Sequence, residues 1–149
     1  MNPRGEPHPR RVFVDSSAYY AVSAERDANH RTAQAMLTSL VRRNATMFTT
    51  RYILAEAHAL VINRLRNTRG GADLLRRIEA SANTTIVPVT DSDEARARVI
   101  IERYDDHLFT LTDAINFAVM ERPGLTYAFS FDSDFAAFGF TALAFDLLR

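Results

Sequence analysis

The stretch Arg11-Val-Phe-Val-Asp15, followed by Ser16-Ser17, decides the fold class. Three consecutive apolar residues, two of them β-branched, predict a short strand that is buried on both faces, which is typical of a parallel sheet. The polar Asp-Ser-Ser turn ends this strand, and residues 16–22 are predicted to form a short helix. The chain therefore opens with a strand that passes directly into a helix.

This alternation of strands and helices continues along the chain. It predicts an α/β domain with three layers, α/β/α, and a five-stranded, mainly parallel sheet. Pro88 lacks an N–H group and places the third strand at a sheet edge. Further strands are predicted at residues 46–50, 85–89, 127–131 and 141–145, and helices at residues 30–43, 52–66, 72–81, 91–104 and 112–121.

Three local signals predict where helices begin and end. Residues 67–71, with two glycines, are expected to separate the helices on either side. Asp91 and Glu94 have the spacing of a capping box. Thr110 or Thr112 is expected to cap the helix that follows it.

Length and composition indicate one globular domain. The chain has 149 residues, of which 47% are apolar and 24% charged, so it can bury a core without metal or disulfide cross-links. The absence of cysteine excludes disulfides and cysteine nucleophiles and is compatible with a cytoplasmic location. Residues 1–10 are predicted to be a flexible tail without a signal-peptide core, and residues 11–149 the domain. No apolar run reaches the roughly 18 residues that a membrane span needs.

The net charge of zero conceals an asymmetry. Residues 1–90 carry 13 arginines and 7 acids, whereas residues 91–149 carry 5 arginines and 11 acids, and the chain has no lysine. Such a distribution suggests a nucleic-acid or partner surface, although a GC-rich genome also favours arginine codons. The arginines predicted to guide a phosphate backbone are Arg42, Arg43, Arg64, Arg66 and Arg69.

Acidic residues recur where a parallel sheet places its functional crevice, beyond the carboxyl ends of the strands. Asp15 ends the first strand, and Asp132 and Asp134 follow the fourth. Glu56 lies early in the helix after the second strand, and Asp113 begins its helix. Each has an ordinary alternative: Asp113 as a helix cap, Glu56 as a solvated residue, and Asp132 with Asp134 as an Asx turn.

Together these acids predict a divalent-metal site. Clustered carboxylates repel one another unless a cation offsets their charge, and oxygen ligands without thiolates select Mg²⁺ or Mn²⁺. Such ions can activate water for phosphodiester hydrolysis. The sequence lacks dinucleotide, P-loop and nucleophile-elbow motifs. Structural or solvent roles are expected for all four histidines, which lack paired ligand spacing.

Four segments resemble the PIN-domain nucleases, and their order and spacing are especially similar to the VapC-type toxins of prokaryotic toxin–antitoxin pairs. The resemblance covers nearly the whole chain from Arg11. The segments are Val12-Phe-Val-Asp-Ser-Ser-Ala-Tyr19, Thr50-Arg-Tyr-Ile-Leu-Ala-Glu-Ala57, Leu111-Thr-Asp-Ala-Ile115 and Phe129-Ser-Phe-Asp-Ser-Asp-Phe135.

The resemblance implies an acidic pocket that binds Mg²⁺ or Mn²⁺ and an endonuclease that cleaves RNA. It also implies a homodimer and inhibition by a cognate antitoxin. The catalytic acids that it implies are Asp15, Glu56, Asp113 and Asp132; Asp134 joins Asp15, Asp113 and Asp132 as a metal ligand, and Ser17, Thr112 and Asn116 support them.

Two other functions remain open. The chain could be a housekeeping PIN enzyme that processes RNA or acts on DNA without an antitoxin. It could also be a catalytically weak PIN module that acts through protein contacts. The sequence leaves open the RNA target, the number of metal ions, and whether Asp132 or Asp134 is the main fourth acid.

Overall fold

The computed structural model describes Met1, Gly5 and residues 7–148. Within this part of the chain, five parallel strands form one sheet in the order β3-β2-β1-β4-β5. The strands are β1 (Arg11–Val14), β2 (Thr46–Thr49), β3 (Thr84–Ile86), β4 (Tyr127–Phe129) and β5 (Thr141–Ala142). The helices are α1 (Ser16–Ser23), α2 (His30–Arg42), α3 (Arg51–Leu65), α4 (Thr68–Ala80), α5 (Asp91–Arg103), α6 (Leu111–Glu121) and α7 (Asp134–Phe138), and a 3-10 turn follows at Phe145–Leu148.

Strand β1 lies at the centre of the sheet, as its continuous apolar run predicts. Phe13 is fully buried and pairs with Phe48 of β2 on one side and Ala128 of β4 on the other. The strand order reverses at β1, because the chain moves first towards β3 and later towards β5. A functional crevice is expected at such a switch point, beyond the carboxyl ends of β1 and β4.

The helices form one layer on each face of the sheet, which confirms the predicted three-layer architecture. Helices α1 to α4 pack with one another, and α6 packs with both α5 and α7. The ring of Phe117 in α6 packs edge-on against Phe135 at 5.3 Å and stacks on Phe138 at 4.5 Å. These aromatic contacts fix α7 against α6 and so hold the first turns of both helices close together.

Part of the predicted tail packs on the domain. Pro9 is buried, and the ring nitrogen Nδ1 of His8 lies 3.0 Å from the carbonyl oxygen of Leu147. Residues 2–4 and 6 of the tail lie outside the described residues, so the flexibility predicted for that segment remains a prediction.

The break between the third and fourth helices differs from the prediction. Helix α3 ends at Leu65, its C-cap residue Arg66 has a left-handed φ of 52°, and α4 begins at Thr68, so both glycines lie inside α4. A Cβ on Gly71 would lie 3.0 Å from the His58 ring. The glycine therefore serves the close packing of α4 on α3 rather than a turn.

Other element boundaries shift by a few residues. The α5 capping box is formed by Thr90 and Asp93, one residue before the predicted pair. Strand β3 lies at a sheet edge as expected, but ends before Pro88. The short helix α7 and the final 3-10 turn were not predicted. None of the described helices has the length and hydropathy needed to cross a membrane.

Candidate active site

The carboxylate of Asp15 is held at the carboxyl end of β1 by two hydroxyl groups. Ser17 Oγ and Ser130 Oγ each donate to Asp15 Oδ2 at 2.9 Å. The same hydroxyls accept backbone N–H groups, Ser17 from Phe131 at 2.9 Å and Ser130 from Asp132 at 3.0 Å. This network joins the end of β1 to the turn after β4 and fixes the orientation of the buried carboxylate.

A third hydroxyl connects Asp15 to the carboxyl group of Glu56. Ser16 Oγ donates to Glu56 Oε1 at 2.5 Å and lies 3.5 Å from Asp15 Oδ1. Glu56 sits in the second turn of α3, whose first turn is capped by Thr50. Neither Ser16 nor Ser130 was singled out in the sequence, because both contacts depend on how distant segments meet.

Asp113 caps its helix and also faces the acidic cluster. Its Oδ2 accepts the N–H of Thr110 at 2.9 Å, and its own N–H donates to Thr110 Oγ1 at 3.1 Å. The hydroxyl of this capping box is therefore that of Thr110, the first of the two predicted caps. Thr112, predicted to support Asp113, is half-buried beside it. The carboxylate of Asp113 therefore takes part both in the capping box of α6 and in the acidic cluster.

Asp113, Asp132 and Asp134 bring three carboxylates together. Each offers an oxygen within 4.8 Å of the other two. Asp132 Oδ1 accepts the N–H of Asp134 at 3.0 Å, so the predicted Asx turn exists and fixes this loop at the cluster. Asp15 and Glu56 lie beside this group, and the charges of Asp15, Asp113 and Asp132 all act on Glu56.

Burial and mutual repulsion disfavour the charged forms of these acids. Burial is the largest influence that raises the pKa of Asp15, while hydrogen bonds from Ser17 and Ser130 partly oppose it. Burial also raises the pKa of Glu56, and its acidic neighbours add to this effect. The pKa of Asp134 is raised by burial and by the charges of Asp132 and Asp113. A bound cation would favour all three ionised forms.

The donor set fits Mg²⁺ or Mn²⁺. The side chains that converge here offer carboxylate oxygens, which are the ligands that these ions prefer. Asp113, Asp132 and Asp134 would hold the ion from one side. Asp15, whose Oδ2 accepts from two hydroxyl groups and whose Oδ1 lies 3.5 Å from Ser16 Oγ, would complete the set of ligands.

Asn116 lies one turn after Asp113, on the same side of α6. Its side chain is 1% exposed, and its Oδ1 has no hydrogen-bond partner within the described part of the chain. A buried amide oxygen without a partner is unfavourable for folding. The supporting role predicted for Asn116 remains a prediction.

The five arginines predicted to bind RNA lie in different places. Arg42 ends α2 and precedes β2, so it lies near the amino ends of the strands, whereas Asp15 lies at the carboxyl end of β1. Arg43 donates to the carbonyl oxygen of Leu148, and the Arg64 guanidinium lies 5.1 Å from the centre of the Tyr20 ring. Arg66 and Arg69 are exposed at the α3–α4 junction. An RNA-binding role for these arginines remains a prediction.

One histidine lies nearer to the site than its sequence context suggested. The charge of His107 lowers the pKa of Asp134 and opposes the effects that raise it. His107 precedes the Thr110–Asp113 capping box by three residues. By contrast, His30 binds the carbonyl oxygen of Ala21, and His58 packs against Gly71, as expected for structural residues.

The sheet order and the carboxylates at its switch point define a family, and a family model agrees. Residues 12–141 match the PIN domain, and the chain belongs to the PIN-domain family. The 23S rRNA-specific endonuclease VapC20 of Mycobacterium tuberculosis (strain CDC 1551 / Oshkosh) is 31% identical over 129 residues, which cover 87% of this chain and 95% of VapC20. VapC20 of strain ATCC 25618 / H37Rv matches equally.

A solved structure shows the same architecture. The crystal structure of Mycobacterium tuberculosis VapC20, described as a sarcin-ricin loop cleaving toxin, superposes with a TM-score of 0.81 at 29% identity. The match covers 89% of this chain and 98% of that chain. The similarity therefore extends over most of this chain and nearly all of that one.

Proposed function

We propose that this protein is a Mg²⁺- or Mn²⁺-dependent endoribonuclease and the toxin of a type II toxin–antitoxin pair. The observation that carries the proposal is the convergence of Asp113, Asp132 and Asp134, with oxygens within 4.8 Å of one another, beside the braced carboxylate of Asp15. A ribonuclease of this kind inhibits translation and growth by cleaving cellular RNA.

The residues divide the work of hydrolysis between holding the ion and moving a proton. Asp113, Asp132, Asp134 and Asp15 would hold the ion. When bound, a divalent ion would lower the pKa of a water molecule and offset charge at the scissile phosphate. Ser17 and Ser130 keep Asp15 oriented. Glu56, whose pKa burial raises and which Ser16 positions, is the carboxyl group suited to accept a proton from the attacking water.

The RNA target proposed for this chain is the sarcin-ricin loop of 23S rRNA, by its similarity to VapC20. Purified ribosomes incubated with the protein and Mn²⁺ should yield one new 23S rRNA end, located by primer extension. A hairpin with the loop sequence should be cleaved faster than a hairpin with the same stem and a scrambled loop. Equal cleavage of both hairpins would reject this target but leave the ribonuclease activity standing.

An apolar groove between α1, α2 and the α3–α4 pair supports the proposal that this protein binds a partner protein. The groove measures about 550 Å³, and Val41 and Leu65 in its lining are 45% and 36% exposed. We expect this groove to bind an apolar segment of a cognate antitoxin. We also expect the toxin to form a homodimer in the cytoplasm. Val41→Glu should reduce co-purification with an antitoxin encoded beside the toxin, while cleavage of RNA by the free protein remains unchanged.

A further inference from the structure

The loop between α5 and α6, residues 105–110, leads directly into the helix that carries Asp113. It ends at Thr110, whose N–H donates to Asp113 Oδ2 at 2.9 Å. Phe109 packs edge-on against Phe117 of α6 at 5.1 Å and contacts Phe138 of α7 at 6.2 Å. Phe138 lies one turn after Asp134, so the loop is anchored to the two helices whose first turns carry the metal-site acids.

The ring of His107 is held on this loop by three contacts. It stacks on Phe109 with centroids 4.9 Å apart and planes 22° from parallel, and meets the edge of Tyr104 at 5.8 Å. Its Nδ1 lies 2.9 Å from Asp106 Oδ1 and therefore donates a hydrogen bond to that carboxylate. The second ring nitrogen, Nε2, has no protein partner in the described part of the chain and remains available to a ligand.

The neighbouring residues also present unused contact surface. Leu108 is 98% exposed and Leu111 is 46% exposed. An apolar side chain that is exposed to water can bury its surface against the apolar face of a nucleobase. The stacking of His107 on Phe109, which in turn contacts Phe117 and Phe138, places the ring beside the two helices whose first turns carry Asp113 and Asp134.

We infer that His107 is a substrate-binding residue: as an imidazolium, which donates from Nδ1 to Asp106, it donates from Nε2 to a phosphate oxygen of the RNA next to the scissile bond, while Leu108 packs against the adjacent base. The inference rests on the proposed ribonuclease function. The structure gives it a physical reason: the acids repel the RNA backbone, and a fixed donor at their edge compensates for that repulsion. In this role, His107 positions the RNA strand and takes no part in the chemical step.

The test separates RNA binding from cleavage. A fluorescently labelled RNA hairpin is titrated by anisotropy with Asp15→Asn protein, which binds RNA without cutting it, alone and combined with a change at His107. We expect His107→Ala to weaken binding about tenfold, as expected for the loss of one charge-assisted hydrogen bond. His107→Arg, which keeps a donor, should restore most of the affinity. His58→Ala, on the far side of α3, is the matched control and should leave affinity unchanged.

Cleavage and metal binding provide two further readouts. In otherwise unchanged protein, His107→Ala should raise KM about tenfold and change kcat less than twofold. Mn²⁺ affinity, measured by electron paramagnetic resonance without RNA, should stay unchanged, because His107 is not one of the residues proposed to hold the ion. A loss of Mn²⁺ affinity, a fall in kcat alone, or unchanged RNA affinity would each overturn the inference. Since the anisotropy arm needs no turnover, it decides the role of His107 even if the protein cleaves nothing.

Discussion

Ser130 Oγ donates to Asp15 Oδ2 across 2.9 Å, although 115 residues separate them in the chain. The contact exists because β4 pairs with β1, with Val14 opposite Phe129, so the residues that follow the two strands emerge side by side. The same hydroxyl accepts the N–H of Asp132 at 3.0 Å. Ser130 therefore positions one acid of the site by its proton and the loop of another by its lone pair.

Removing this hydroxyl should impair catalysis more than folding. Ser130→Ala should lower kcat about tenfold, the lower range for residues that orient metal ligands, with KM changed less than twofold. Rates of hairpin cleavage at saturating Mn²⁺ measure this effect. Ser133→Ala, in the same turn but without a side-chain bond to its helix, is the control and should retain full activity. Equal losses in both variants would mean that Ser130 has no specific role.

Neutralising Asp134 should stabilise the metal-free protein. Its pKa is raised above the ordinary value of 3.8 by burial and by Asp132 and Asp113, so the folded state binds this proton more tightly than the unfolded state does. The free energy of unfolding that protonated Asp134 contributes is therefore lost as pH rises from 3.8 through the raised pKa, and the loss is complete above that pKa. Thermal unfolding of metal-free Asp134→Asn should show a higher Tm at pH 7 and a smaller loss between pH 4 and pH 7.

The same variant should bind Mn²⁺ more weakly, so the ion should raise its Tm less than it raises that of the wild type. Asp146→Asn removes an exposed acid on the 3-10 turn and should change neither property. A lower Tm for metal-free Asp134→Asn would show that this carboxylate is not under electrostatic stress.

Asn116 offers a test of its unpartnered amide oxygen. Replacing it with the similarly shaped Leu removes a buried polar group that has no hydrogen bond at Oδ1. The free energy of unfolding of the metal-free protein should stay the same or rise by up to about 1 kcal/mol. Urea denaturation measures it, with Asn63→Leu on the exposed face of α3 as a comparison. A loss above about 2 kcal/mol would mean that the amide has an essential partner in the fold.

Arg122 should contribute more to stability than the other arginine between α5 and α6. Its guanidinium donates to both oxygens of Asp93 at 3.0 and 2.9 Å, and the Asp93 side chain is only 4% exposed. Although burial raises the pKa of Asp93, these bonds lower it overall. Arg122→Ala would leave a buried charge unpaired and should cost about 2 kcal/mol, less than a fully buried pair because Arg122 is partly exposed.

Arg96→Ala is the matched control for that measurement. Arg96 pairs with Glu121 between the same two helices, but both side chains are more than a third exposed. Its loss should cost less than about 1 kcal/mol. Equal effects of the two substitutions in urea unfolding would contradict the distinction between a buried and an exposed ion pair.

The sequence predicted the sheet and most of the acids because those signals are local. The Val-Phe-Val run identifies β1 from its apolar residues alone, and Asp15 and Asp132 follow strands directly. The carboxylates and the absence of thiolates predicted the metal, and the family resemblance then gave each acid its expected role. The prediction of a five-stranded, mainly parallel sheet between two helical layers is confirmed by the strand pairing and by the similarity to VapC20.

The remaining features depend on contacts between distant segments. Nothing in the local sequence distinguishes Ser16 and Ser130 from other serines. Their hydroxyl groups contact Glu56 and Asp15 only because α3 and β4 lie beside β1 in the fold. The two glycines of α4 looked like a helix break because local preference says nothing about the His58 ring that occupies the space beside Gly71. Helix α7 is too short, at five residues, to show a periodic pattern. His107 lies near Asp134 only through the aromatic packing that anchors its loop.

The most direct test of the account is cleavage of a mixed RNA pool by purified, antitoxin-free protein, with Mg²⁺, Mn²⁺ or chelator. Wild type should be compared with Asp15→Asn and Asp113→Asn, each shown to be folded by circular dichroism. The account predicts cleavage by wild type that requires the metal and is lost in both variants. Cleavage that survives in chelator, or in either folded variant, would contradict the claim that this carboxylate cluster is a metal-dependent nuclease site.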